Sequence, residues 1–200
     1  MFDSTEIAKV RFGMTEVPTT GGQPGDYEEQ WSQWFLKRSF FRDFVYRNPK
    51  GEKKGQELAD AVVLFDDVVI MVQVKAQCGK HEALAWATEK LLEALKQVVK
   101  THESLTQGKI KTLKNDFYGE MEFEPKAYPN RIGLIILAHE SERYNAAELA
   151  PELLKSAFPI HVFSLKDFAT MASRFDTAGD FITFLELRGD VAPTLGLKPR

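Results

Sequence analysis

The sequence predicts an α/β fold, a mixed sheet flanked by helices, and three observations carry that prediction. Apolar residues recur at spacings of three and four in two stretches, one starting at Tyr27 and one just after Gly79, which is the helical period. Dense runs of aliphatic and β-branched residues, AVVLF, VVIMVQV, RIGLIILA and PIHVFSL, have the length of buried strands. The helical and strand stretches are interspersed along the chain, with no internal repeat or low-complexity run.

Taken in order, residues 1–26 end in the glycine- and proline-rich PTTGGQPGD and read as a flexible or appended segment, with a single α/β domain over 27–200. Tyr27, Trp31, Trp34 and Phe35 form a helical stripe behind Asp26, a suitable N-cap. FVYR is a short strand that ends before Asn48-Pro49. Residues 57–77, ELADAVVLFDDVVIMVQVKAQ, form a hairpin. The amphipathic HEALAWATEKLLEALKQVVKTHESL follows, with Leu84, Ala87, Leu91, Leu95 and Val98 on one face. Residues 108–130 are ambiguous, a small hairpin being one solution. RIGLIILAH and PIHVFSL are buried strands, and KDFATMASRF and DFITFLELR are closing helices.

The chain of 200 residues is 44% hydrophobic, enough for a sizeable core. No stretch approaches the roughly 18 unbroken apolar residues of a membrane helix. MFDSTEIAKVRFGM lacks the apolar core of a secretory signal, so the cytoplasm is the expected compartment. The lone Cys78 forms no intramolecular disulfide or multi-thiolate zinc site and reads as a bystander. A net charge of −3 does not mark the whole chain as a nucleic-acid binder. Residues 37–54 differ: seven basic side chains stand against Asp43 and Glu52, interleaved with Phe40, Phe41, Phe44 and Tyr46. The stretch is either a solvated loop or a phosphate-backbone surface, with Arg47, Lys50, Lys53 and Lys54 leading into the next strand.

The hairpin carries the most specific pattern. If Asp66-Asp67 is a two-residue turn, Phe65 faces Val68 and Asp60 faces Gln73. The strand period of two then puts Asp60, Val62, Leu64, Val69, Met71, Gln73 and Lys75 on one face. An acid, an amide and an amine would converge within reach of one ion and one phosphate. The plainer alternative is that strand ends turn polar where they leave a core, and a one-residue slip would scatter the three groups to both faces. Neither a GxxxxGK phosphate loop nor a GxGxxG is present. The four histidines lack metal-ligand spacing, and His161 reads as a satisfied core histidine.

Asp60, then Gln73-Val74-Lys75 after a hairpin, preceded by Tyr27-Glu28 on a helix, resembles the PD-(D/E)xK nuclease superfamily over roughly residues 27–105. The QxK form is similar to the Mrr-like restriction enzymes. Ala59 stands where the motif has proline, and Gln73 replaces the usual second acid. The resemblance implies a restriction-endonuclease-like core and a metal-dependent nuclease that hydrolyses phosphodiester bonds, a DNA endonuclease in the first instance. It implies Mg²⁺, with Mn²⁺ as substitute, held by Asp60, the Gln73 side-chain oxygen and the Val74 carbonyl. Lys75 would handle the attacking water, and Glu28 would be the matching helix glutamate. A carboxylate in a first helical turn equally suits the macrodipole. Gln97 is similar in place to a glutamine downstream in some related nucleases, and an exposed helix position would also explain it. DNA is expected as partner ahead of RNA, without a membrane, and a homo-oligomer is compatible. The alternative is an inactive nuclease-like domain that binds nucleic acid or a protein partner.

Overall fold

Seven strands form one sheet in a computed structural model that describes Pro18, Pro49 and residues 26–40, 42–47, 58–77, 83–116, 118–138, 156–175 and 177–194. They are β1 (Val45–Arg47), β2 (Ala61–Phe65), β3 (Val68–Ala76), β4 (Thr112–Asn115), β5 (Gly119–Glu122), β6 (Asn130–Ala138) and β7 (Ile160–Ser164). Across the sheet the order is β5-β4-β1-β2-β3-β6-β7. Neighbours are antiparallel from β5 to β3 and parallel from β3 to β7. The protein is therefore an α/β fold on a mixed sheet flanked by helices, as the interspersed pattern predicts.

Both faces of the sheet are covered, which is why β3 and β6 read as nearly continuous apolar runs. On one face lies α2 (Ala83–Thr106), whose Leu91, Ala94, Leu95 and Val98 pack on Val62, Val69, Met71 and Ile135. On the other lie α1 (Asp26–Phe40), α3 (Leu165–Ala172) and α4 (Ala178–Thr194). Their Leu36, Phe40, Phe168 and Phe181 pack on Val63, Ile70, Val72 and Leu134.

Local chemistry sets the element ends. Ser164 caps α3, accepting from the Asp167 amide at 3.0 Å, and Thr177 does the same for Asp180 at 3.1 Å ahead of α4. These caps start both helices slightly earlier than the periodicity alone suggests. Gly108, at φ 65°, terminates α2: its N–H donates to the Leu105 carbonyl, and the Lys109 N–H donates to that of Ser104.

Two expectations are resolved here. Residues 108–130 contain a real hairpin, β4–β5, at one edge of the sheet. Leu84 does not belong to the buried stripe of α2; it is 54% exposed, and Trp86 is buried in its stead. No helix among the described residues is long and apolar enough to cross a membrane. Lys50, Lys53, Lys54 and, apart from Pro18 and Asp26, the segment 1–26 lie outside the described residues.

Candidate functional site

The β2–β3 hairpin has the register that a two-residue turn dictates, from Phe65 opposite Val68 to Ala61 opposite Val72. Asp66 takes the left-handed conformation at φ 54°, which aspartate tolerates better than most residues. Asn130 fixes the turn from β6, donating its side-chain N–H to Asp67 Oδ2 at 2.8 Å. Gln73 and Lys75 accordingly follow Met71 on the face covered by α2.

Asp60 departs from the expected pairing with Gln73. The ladder stops at Ala61, and the Asp60 N–H donates to the Val72 carbonyl at 3.1 Å, so the chain bends one residue early. Its carboxylate turns into the space beyond the end of β2, where Oδ2 accepts the Val74 N–H at 2.6 Å. Backbone N–H groups lie in the plane of a sheet, so this oxygen sits near that plane rather than above it. The N–H and C=O of one residue in an extended strand point the same way, so the Val74 carbonyl is directed to the side that holds Asp60.

The segment before Asp60 is tied from both sides. The Leu58 N–H donates to the Pro49 carbonyl at 3.0 Å. The Leu58 carbonyl accepts Gln73 Nε2 at 2.9 Å and also the hydroxyl of Thr101, a fully buried residue on α2. Because a carbonyl only accepts, the Gln73 amide is oriented unambiguously: nitrogen toward Leu58, oxygen away from it.

Lys75 meets a partner that sequence reasoning missed. Its ammonium lies 2.8 Å from Glu93 Oε1 on α2, and Lys90 lies 2.9 Å from the other oxygen of the same carboxylate. Hydrogen bonds from Lys75, then Lys90, hold the Glu93 carboxyl below its usual pKa. Glu93, Gln97 and Thr101 form a file at spacing four on α2, and that file, visible on a helical wheel beside the apolar stripe, was the available signal. Gln97 is not an exposed surface residue: its Oε1 is buried and has no hydrogen-bond partner.

The structure thus brings Asp60, Gln73, Val74 and Lys75 to one end of the sheet. Glu28 sits in the first turn of α1, on the helical layer across the sheet from α2. No contact between Glu28 and Asp60, Gln73 or Lys75 is seen among the described residues; the part of α1 that packs on the sheet is Leu36 and Phe40, in its second half. Of the basic stretch, Arg47 pairs with Asp116 at 3.0 Å, a carboxylate it shares with Lys37 at 2.9 Å.

The Asp60 carboxylate, the Gln73 amide oxygen and the Val74 backbone carbonyl are hard donors of the kind Mg²⁺ takes, an ion held by few protein ligands with substrate and water completing its shell. Among the described residues no group of three His, Cys, Asp or Glu side chains is placed to hold a metal. No family model matches the chain, and no curated protein matches it.

Proposed function

We propose that the protein is a metal-dependent nuclease that hydrolyses phosphodiester bonds, with DNA as the first substrate to test. The observation that carries this is the placement of Asp60 beside Val74, beyond the end of β2, with Gln73 and Lys75 on the same stretch of β3. Asp60, the Gln73 oxygen and the Val74 carbonyl would hold Mg²⁺ or Mn²⁺. Such an ion, when bound, lowers the pKa of a water and offsets charge on the phosphoryl oxygens.

The rest falls to the chain's own groups. Asp60 is held by the Val74 N–H, which fixes the orientation of its carboxylate beside β3. Lys75, held by Glu93, would orient a water or meet charge that develops on a phosphate. Arg47 and the lysines that follow it would track backbone phosphates without reading sequence. Glu28 would approach from the α1 side.

A second reading has one observation in its favour. Lys75 is already engaged by a carboxylate, the arrangement of a structural ion pair, as a nuclease-like domain that binds nucleic acid or protein without turnover would have. Incubating the pure protein with plasmid DNA and with single-stranded RNA, in Mg²⁺, Mn²⁺ or EDTA, separates the two. Cleavage that EDTA abolishes supports the enzyme; binding without cleavage under all conditions supports the alternative.

A further inference from the structure

Gln73 donates a hydrogen bond in a buried place, which an ionised glutamate at the same position could not do. The Gln73 amide nitrogen lies 2.9 Å from the Leu58 carbonyl in a site where Gln73 is 3% exposed. That carbonyl is two residues ahead of Asp60, and its second donor is the Thr101 hydroxyl. Thr101 has one hydroxyl proton and two nearby carbonyl acceptors, Leu58 and, at 2.9 Å, Gln97. The hydroxyl thus bridges the two carbonyls. The strap 58–60 is therefore pinned at Leu58 by Gln73 and Thr101 and at Asp60 by Val72 and Val74.

We infer that Gln73 and Thr101 are positioning residues for Asp60, and that residue 73 is an amide rather than a carboxylate because its N–H must hold the Leu58 carbonyl. This inference deepens the nuclease reading, on which only its catalytic consequence rests; the strap itself is a property of the metal-free protein. An ionised glutamate at 73 has no proton to donate. It would set negative oxygen against the Leu58 carbonyl in a buried place, and the carbonyl would lose one of its two donors. The strap would loosen, and the bond between Asp60 and the Val74 N–H would loosen with it. The absence of a second acid thus has a physical reason in this fold, distinct from decay of the site.

The test is residue-resolved amide hydrogen exchange by NMR on the metal-free protein, run beside thermal unfolding. Gln73→Glu at neutral pH should speed exchange of the Val74 and Asp60 amides at least about tenfold, as expected when a buried donor is removed. It should also lower Tm by roughly 2–4 °C or more. Thr101→Val, which keeps the shape and removes the hydroxyl, should speed the same two amides, and Thr101→Ser should restore wild-type exchange. If the protein cleaves nucleic acid, Thr101→Val should lower kcat with KM unchanged, since Thr101 would touch neither ion nor substrate. Unchanged exchange at Val74 and Asp60 in Gln73→Glu, with Tm equal to or above wild type, would overturn the inference and leave residue 73 as an oxygen ligand only. Absence of cleavage by wild type would instead count against the nuclease reading and leave the exchange result standing.

Discussion

Glu93 joins two cations, Lys75 at 2.8 Å and Lys90 at 2.9 Å, and so sets where the one amine of the candidate site rests. The carboxylate is 42% exposed, so solvent screening limits the stability it contributes to at most about 1 kcal/mol. Its pKa is lowered below the usual 4.5, so that contribution is complete above 4.5 and is lost as pH falls through the lower folded value. Glu93→Gln should accordingly shift the urea midpoint slightly at pH 7 and not at all once the wild-type carboxyl is protonated. A difference that persists unchanged into strong acid would show that packing, rather than charge, is what Glu93 supplies. Sequence reasoning reached Lys75 and Gln73 through the strand period but passed over Glu93, whose signal lay in the Glu93, Gln97 and Thr101 file on α2 rather than in the hairpin. It also set Asp60 opposite Gln73, whereas the chain bends one residue early and turns the carboxylate toward the Val74 N–H. That bend depends on Leu58 being held by Gln73 and Thr101, a contact 43 residues apart in the latter case.

At the scale of elements, α2 lies against the sheet at a point where only glycine fits. A Cβ on Gly133 of β6 would stand 2.8 Å from Val98 Cγ1 and 3.0 Å from Ile160 Cγ1, closer than packed carbons approach. Gly133→Ala should push α2 away from β6 and cost about 1–3 kcal/mol, read as a lower denaturant midpoint with little change in the slope. An unaffected midpoint would mean that the helix adjusts freely at this crossing. The elements themselves were largely legible, since β3, β6 and α2 carry strong patterns. The Asp66-Asp67 turn was sufficient to set the register from Ala61–Val72 to Phe65–Val68. Leu84 misled because periodicity weighs each apolar residue equally, and the first turn of α2 instead buries Trp86. The edge hairpin β4–β5 was ambiguous because its strands are four residues each, β5 is mostly exposed, and one of the two buried positions of β4 is the polar Asn115.

Across the whole molecule, the other edge of the sheet is closed by a polar contact that reads as an ordinary core position in sequence. His161 on β7 is 3% exposed, and its Nδ1 accepts from Arg188 of α4 at 3.1 Å. Arginine can only donate, so the ring proton resides on Nε2, which is buried without a partner; the histidine is half satisfied, not fully as expected. Burial, aided by the Arg188 charge, pushes its pKa down to about 3. The unfolded chain binds a proton near the usual 6.5 and the folded one does not, so stability should fall between those values by up to about 1.4 kcal/mol per pH unit. His161→Gln, which keeps an acceptor for Arg188, should flatten the change in urea midpoint between pH 6.5 and 4.5. An equally steep change in the variant would place the titration elsewhere. Cleavage of supercoiled DNA probes the nuclease chemistry proposed for Asp60 and Lys75. Supercoiled plasmid is incubated with wild type, Asp60→Ala and Lys75→Ala in Mg²⁺, with folding of each checked by circular dichroism. Wild type should nick the plasmid in an EDTA-sensitive way, and each variant should lose at least about 100-fold; equal nicking by wild type and a folded Asp60→Ala protein, or none by wild type in Mg²⁺ or Mn²⁺ on any nucleic acid, would rule out the nuclease reading.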